Sequence, residues 1–134
     1  MSRLCLDTSA YSHFKRGDPK VVRLIDGADW VGIPVVVLGE LRAGFALGAK
    51  AAANERELAA FMRTAVVSAL DIDDEVSRIY AGIVVALREA RTPLPTNDIW
   101  IAAVAAREGA TVLTYDSHFA AIHRVGTMLL STDA

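Results

Sequence analysis

The chain of 134 residues has a formal net charge of −2 and is 53% hydrophobic. This length fits one domain with a real core, and the apolar content excludes a disordered chain. The slightly acidic balance excludes a uniformly basic nucleic-acid coat, and the single cysteine, Cys5, excludes a disulfide framework or a cysteine-rich zinc site, so we expect a reducing, cytoplasmic environment.

The first half of the chain alternates short apolar strands with helices. We predict a strand at 3–6, a helix that begins at Asp7, a helix from Asp18 and Pro19 to Gly27, a strand at 30–33, an apolar helix from Pro34 to about Gly48 and an Ala-rich helix to about Thr64. Pro34, Glu40 and Arg42 interrupt the most apolar stretch, so we expect no membrane span. We expect no secretory signal either, because Asp7 stands where its apolar region would run.

The second half continues this alternation. We predict a strand at 66–70, a helix opened by Asp73, Asp74 and Glu75, a rigid connector at 92–95, a helix from about Asn97 to Glu108, a strand at 111–114, a short turn at Asp116 and a final strand at 127–130. The pattern predicts one α/β domain over 1–134, with a mostly parallel sheet of about four to five strands and helices on both faces. Sites in such sheets form beyond the carboxyl ends of the strands, where Asp7 and Asp116 stand.

Two more acids lie on helical stripes that are otherwise apolar and mostly small. The row of Glu40 contains Val36, Val37, Ala43, Gly44 and Leu47, and the residues one turn after Asp98 are Ile101, Ala102 and Ala105. We therefore expect Glu40 to be buried or nearly so, and we expect Arg107 to mark the solvent face of the later helix. An unpaired buried carboxylate is costly unless it is protonated, ion-paired or bound to a metal.

Each acid also has a purely structural interpretation. Asp7 and Asp116 could cap the helical turns that follow them, and Asp98 could favour the positive end of its helix. Glu40 could form a salt bridge, but Arg42 lies about 200° around the same helix and is excluded as the partner. Four such acids in one small domain together favour a site.

The chemistry follows from the residue type. Clustered carboxylates repel one another, and a hard divalent cation relieves that repulsion. Oxygen ligands suit Mg²⁺ or Mn²⁺ better than zinc or copper, and one or two such ions can activate water for displacement at phosphorus. The sequence therefore favours a metal-dependent phosphodiesterase and leaves the number of ions open.

Four segments resemble the PIN-domain ribonucleases, and most closely the VapC-type toxins of prokaryotic toxin–antitoxin systems. The segments are Leu6-Asp7-Thr8-Ser9, Val37-Leu38-Gly39-Glu40-Leu41, Thr96-Asn97-Asp98-Ile99-Trp100-Ile101-Ala102-Ala103 and Val112-Leu113-Thr114-Tyr115-Asp116-Ser117-His118-Phe119. They occur in the family's order across most of the chain. Two residues depart from the family's pattern. Trp100 stands where a smaller aliphatic residue is common, and Tyr115 stands beside Asp116.

The resemblance implies a PIN fold and a Mg²⁺- or Mn²⁺-dependent endoribonuclease that cleaves tRNA or rRNA. By analogy Asp7, Glu40 and Asp98 are the core metal ligands, and Asp116 binds a second metal or a water on the first. The supporting polar groups that the resemblance implies are Thr8, Ser9, Asn97 and Thr114. It also implies a VapB-type antitoxin, whose tail covers the acidic groove, and a homodimer.

Other residues carry weaker expectations. The densest basic stretch contains Lys15, Arg16, Lys20 and Arg23, which form either a solvated helix face or contacts to RNA phosphates. Tyr115 lies close enough to the predicted site to stack on a base. The histidines His13, His118 and His123 lack metal-like spacing, so we expect surface or local hydrogen-bonding roles for them.

Three rival functions share parts of this pattern. A receiver-type phosphorelay module needs a lysine late in the chain, but the three lysines all lie in the first half. A haloacid-type phosphatase needs a second acid at the position of Ser9. A non-catalytic PIN-like module that binds RNA or protein is the remaining alternative, and the intact set of acids weighs against it.

Overall fold

The structure is a computed structural model that describes residues 2–132, within which six α-helices surround a five-stranded sheet. The strands are β1 (Arg3–Leu6), β2 (Trp30–Pro34), β3 (Val67–Leu70), β4 (Thr111–Thr114) and β5 (Thr127–Leu129). The helices are α1 (Thr8–Lys15), α2 (Pro19–Asp26), α3 (Val35–Leu47), α4 (Ala51–Met62), α5 (Asp74–Glu89) and α6 (Thr96–Arg107), and a 3-10 turn covers Ser117–Ala121. The predicted α/β architecture is confirmed.

The sheet is parallel at every strand pair, in the order β3-β2-β1-β4-β5. The chain builds outwards from β1 to β2 and β3, and then returns to add β4 on the other side of β1. The connection therefore reverses direction between β1 and β4, where Leu4 pairs with Thr111 and Leu6 with Leu113. This reversal is where open α/β sheets place their binding crevices.

The two central strands are covered on both faces. Successive residues of β1 from Leu4 to Leu6 are buried, and so are those of β4 from Val112 to Thr114. Because successive strand residues point to opposite faces, helices must cover both sides of the sheet. Gly32 in β2 lies so close to its neighbours that a Cβ there would meet Trp30 at 2.4 Å and Leu70 at 2.5 Å.

Two expectations about helix faces were wrong. The apolar row of α3 leaves the core after its first turns, because Ala43 and Gly44 are exposed and Leu47 is 90% exposed. Arg107 does not mark a solvent face, because its side chain is only 12% exposed and pairs with Asp73 and Glu108. Among residues 2–132, no helix combines the length and apolar character needed to cross a membrane.

Candidate active site

The four predicted acids come from four separate elements. Asp7 follows β1 and caps α1, and Asp116 follows β4 and caps the 3-10 turn. Glu40 lies in α3 and Asp98 in the first turn of α6. The structural interpretations of Asp7 and Asp116 as caps are thus correct, and they do not conflict with a site because each cap uses one oxygen.

Asp7 is the most deeply placed acid, at 5% exposure. Its Oδ1 accepts from the backbone N–H of Ala10 at 2.8 Å and from the Ser9 hydroxyl at 2.8 Å. Its Oδ2 accepts from the Thr114 hydroxyl at 2.5 Å. These bonds compensate for its burial and fix the carboxylate at the end of β1.

The Thr114 hydroxyl joins the ends of the two central strands. It donates to Asp7 and accepts from the backbone N–H of Asp116 at 2.8 Å. Thr114 is fully buried, so no water competes for these bonds. The Ser9 hydroxyl also accepts from the backbone N–H of Tyr115 at 3.0 Å, which adds a second tie between the same two loops.

Glu40 lies between the segments that carry Asp7 and Asp98. The Thr8 hydroxyl donates to its Oε1 at 2.7 Å, and the Asn97 amide donates to its Oε2 at 3.3 Å. Glu40 is half-buried, which is less than its apolar row predicted. Arg42 pairs with Glu55 at 3.0 Å, so its exclusion as a partner of Glu40 is confirmed.

Asp98 and Asp116 meet at the ring of His118. The Nδ1 atom of His118 lies 3.1 Å from Oδ2 of Asp98 and 3.2 Å from Oδ1 of Asp116. The backbone N–H of His118 also donates to Oδ1 of Asp116 at 2.9 Å, because both residues belong to the same tight turn. One ligand atom from each of the three residues lies within 4.8 Å of the others.

The carboxylates also interact through their charges. Burial raises the pKa of the Asp7 carboxyl above its ordinary value, its hydrogen bonds oppose that rise, and the charge of Asp116 adds to it. Burial likewise raises the pKa of Asp98, where the contact with His118 opposes the rise and the charges of Asp116 and Glu40 add to it. The four acids therefore form one electrostatically connected group.

This group fits a divalent cation by its donor chemistry. Carboxylate oxygens are the ligands that Mg²⁺ and Mn²⁺ take in proteins, and an added cation would offset both the burial of these charges and their mutual repulsion. The side chains of Asp98 and Asp116 are 17% and 37% exposed, so solvent reaches both. Each of the four acids already has at least one hydrogen-bonded oxygen.

The basic residues predicted to contact RNA differ in whether their side chains already pair with other residues. Lys15 bonds to Asn54 and lies 3.5 Å from Glu57, so its charge is partly engaged. The remaining predicted basic contacts are exposed: Arg16, Lys20 and Arg23.

Tyr115 is held by its surroundings. Its hydroxyl donates to Asp18 at 2.7 Å, and its ring stacks on that of His13 with centroids 3.7 Å apart. Burial and the bond to Asp18 raise the pKa of Tyr115 to about 12. One ring face is therefore already covered.

His118 is the residue of this site that the sequence interpretation missed. The spacing among the three histidines carries no signal of a metal site. A usable signal was the Asp-x-His arrangement of Asp116 and His118 directly after a central strand, because a tight turn brings positions i and i+2 to the same side.

Comparisons with known proteins support a common family. The chain matches the PIN domain family over residues 4–125. It is 40% identical to ribonuclease VapC4 of Mycobacterium tuberculosis over 96 residues, which cover 72% of this chain and 73% of the relative. It is 36% identical to ribonuclease VapC5 of the same organism over 117 residues, which cover 87% of this chain and 85% of the relative.

A solved structure agrees with these relatives. The structure of VapBC-5 from Mycobacterium tuberculosis, a member of the VapBC family of toxin–antitoxin systems, matches with a TM-score of 0.74 and 31% identity. The match covers 97% of this chain and 100% of that chain.

Proposed function

The chain belongs to the PIN domain family, and from that membership we propose that it is a Mg²⁺- or Mn²⁺-dependent endoribonuclease. It is a ribonuclease toxin of the VapC type, as its similarity to VapC4 and VapC5 indicates. The observation that supports the proposed metal dependence is geometric: ligand atoms of Asp98, Asp116 and His118 lie within 4.8 Å of one another, and hydrogen bonds tie the segments that carry Asp7 and Glu40 to the same place. The proposed reaction is hydrolysis of an RNA phosphodiester bond, with tRNA or rRNA as substrate.

The proposed roles follow from position. Asp7, Glu40, Asp98 and Asp116 would together hold the cation or cations. A divalent cation bound there supplies an activated water and offsets the charge that develops at phosphorus. Thr114 and Ser9 orient Asp7, while Thr8 and Asn97 orient Glu40.

Substitution of Asp98 tests this function. We expect Asp98→Asn to lower Mn²⁺-dependent cleavage of total RNA by at least about 100-fold, because removal of a partner of a metal ligand already costs 10–100-fold. The matched control is Asp26→Asn, at an exposed acid at the end of α2, which should cleave at the wild-type rate. Both variants should keep the wild-type circular dichroism spectrum.

The outcome separates the two candidate functions. Wild-type protein that cuts no RNA with either Mg²⁺ or Mn²⁺ would favour a non-catalytic module that binds RNA or protein. Cleavage that persists at full rate in Asp98→Asn would show that the chemistry occurs elsewhere. Sequencing of RNA 5′ ends after brief induction of the wild type and of Asp98→Asn would identify the cleaved RNA.

The proposed partners follow from the same family. We propose a VapB-type antitoxin that covers the acidic groove, a homodimer, and a cytoplasmic location. The solved VapBC-5 structure is of a toxin–antitoxin pair, which supports the first of these. Growth arrest on expression, relieved by co-expression of a small neighbouring reading frame, tests the antitoxin, and light scattering of the purified chain tests the dimer.

A further inference from the structure

We propose that His118 is a direct ligand of the catalytic cation, so that this site contains nitrogen as well as oxygen. The inference rests on the proposed metal dependence and concerns which atoms hold the ion. The resemblance implies four carboxylates as ligands. The imidazole of His118, in the turn after β4, would be a fifth.

The first observation is the position of the imidazole. Its Nδ1 lies 3.1 Å from Asp98 and 3.2 Å from Asp116, so one ring nitrogen faces oxygens from two different elements. Two ligands that bind an ion at neighbouring octahedral positions, each at about 2.1 Å, lie about 3.0 Å apart. The imidazole nitrogen therefore lies at this ligand–ligand spacing from both carboxylate oxygens, and all three donor atoms lie within 4.8 Å of one another.

The second observation is how the ring is held. The Asp116 carboxylate accepts from the backbone N–H of His118, and Asp116 is itself tied to β4 through the Thr114 hydroxyl. The backbone of His118 is therefore fixed to the end of a buried central strand. Its side chain is 46% exposed, so the ring borders solvent from which an ion can enter. A ligand that is already placed loses little conformational freedom when it binds.

The chemistry predicts a change in metal preference. A neutral imidazole can offer the lone pair of one ring nitrogen to a cation. Imidazole nitrogen is a good ligand for transition metals and a poor one for Mg²⁺, which demands oxygen. His118 should therefore strengthen the binding of Mn²⁺ and Co²⁺ much more than that of Mg²⁺.

Pulsed electron paramagnetic resonance of the Mn²⁺-loaded protein tests the contact directly. We expect a ¹⁴N coupling from a directly bound imidazole in the wild type, its loss in His118→Gln, and its retention in the control His123→Gln. His123 is a suitable control because it is exposed and lies outside this cluster. The readout is spectroscopic and does not depend on RNA cleavage.

Titration calorimetry provides the second readout. His118→Gln should weaken Mn²⁺ binding at least about tenfold, while the dissociation constant for Mg²⁺ changes less than about twofold. Mn²⁺ that binds to the wild type with no nitrogen coupling would overturn the inference and leave the metal-dependent function intact. Wild-type protein that binds neither ion would instead overturn the proposed function, and the inference with it.

Discussion

The Thr114 hydroxyl carries two hydrogen bonds at the centre of the site, one to the Asp7 carboxylate and one from the backbone of Asp116. Because Thr114 is fully buried, solvent does not compete for its hydroxyl in the folded protein. The position therefore couples the geometry of two carboxylates to a single oxygen atom.

Substitution of Thr114 should reduce activity without removing any acid. We expect Thr114→Val to lower Mn²⁺ affinity and RNA cleavage about 10–100-fold, as losses of partners of metal ligands do. It should also destabilise the fold by about 1–3 kcal/mol, because Oδ2 of Asp7 loses one of its two donors and the partly buried N–H of Asp116 loses its acceptor. Thr114→Ser keeps the hydroxyl and serves as the control. Equal losses in both variants would assign the effect to packing of the methyl group.

The lone cysteine should be unreactive in the native protein. Burial raises the pKa of the Cys5 thiol, and the nearby charge of Asp7 raises it further. Because the thiolate is the reactive form, iodoacetamide should label Cys5 only after the chain opens. Mass spectrometry should find slow labelling at pH 8 and fast labelling in denaturing urea, and fast labelling of the native protein would contradict the burial.

At the residue scale, the sequence predicted where the acids lie better than it predicted their burial and their partners. The positions of Asp7 and Asp116 at one edge of the sheet were predictable because Asp7 directly follows β1 and Asp116 lies two residues after β4, while Asp98 stood out because its helix face is apolar and small. His118 was not predictable from histidine spacing, because its partner Asp98 lies 20 positions away and meets it only through folding. The half-exposure of Glu40 was missed because the apolar row of α3 extends beyond the edge of the core.

At the scale of elements, α5 and α6 are connected by an ion pair. Asp73 caps α5 by accepting from the backbone N–H of Val76 at 3.0 Å, and it lies 3.2 Å from the Arg107 guanidinium of α6. The cap bond and the guanidinium lower the pKa of Asp73 below its ordinary value. A carboxyl with a lowered pKa stabilises the fold above its unfolded pKa, and this contribution is lost as the pH falls through the folded pKa.

Two variants of Asp73 separate the cap from the charge. We expect Asp73→Asn to keep the cap and lose the charge, so that its difference in melting temperature from the wild type shrinks as the pH falls below about 4. Asp73→Ala should melt several degrees lower than Asp73→Asn at every pH, because it also loses the cap. A difference between wild type and Asp73→Asn that stays constant down to pH 2 would refute the proposed role of the charge.

The order of elements was predictable, and the side-chain partners between them were not. Strand-like runs such as 111–114 and the glycine that follows α6 define the alternation locally. The prediction that Arg107 marks the solvent face of α6 was wrong, because the segment that carries Asp73 packs against its side chain. Contacts between elements distant in sequence depend on the packing of whole helices, which periodicity does not report.

At the scale of the whole molecule, the acidic site opposes folding until its charge is balanced. Burial raises the pKa values of Asp7 and Asp98, so their ionised forms cost stability at neutral pH. For a carboxyl with a raised pKa, the sign is opposite to that of Asp73. Its stabilising contribution is present below the unfolded pKa and is lost as the pH rises through the folded pKa.

Neutralising one acid should therefore stabilise the metal-free protein. We expect Asp98→Asn to melt a few degrees higher than the wild type at pH 7 in EDTA. Added Mn²⁺ should raise the melting temperature of the wild type and have little effect on the variant, because only the wild type binds the ion tightly. A variant that is less stable than the wild type in EDTA would show that Asp98 contributes more by its contacts than it costs by its charge.

The pairing of β1 with β4 has a consequence for synthesis on the ribosome. Until translation has passed residue 116, the polypeptide lacks Asp116, the Thr114 hydroxyl that holds Asp7, and the Leu113 carbonyl to which the Asp7 amide donates at 3.4 Å. An incomplete nascent chain therefore has no assembled set of carboxylates. If these carboxylates are the active site, we expect the nuclease activity to arise only after translation has passed Asp116.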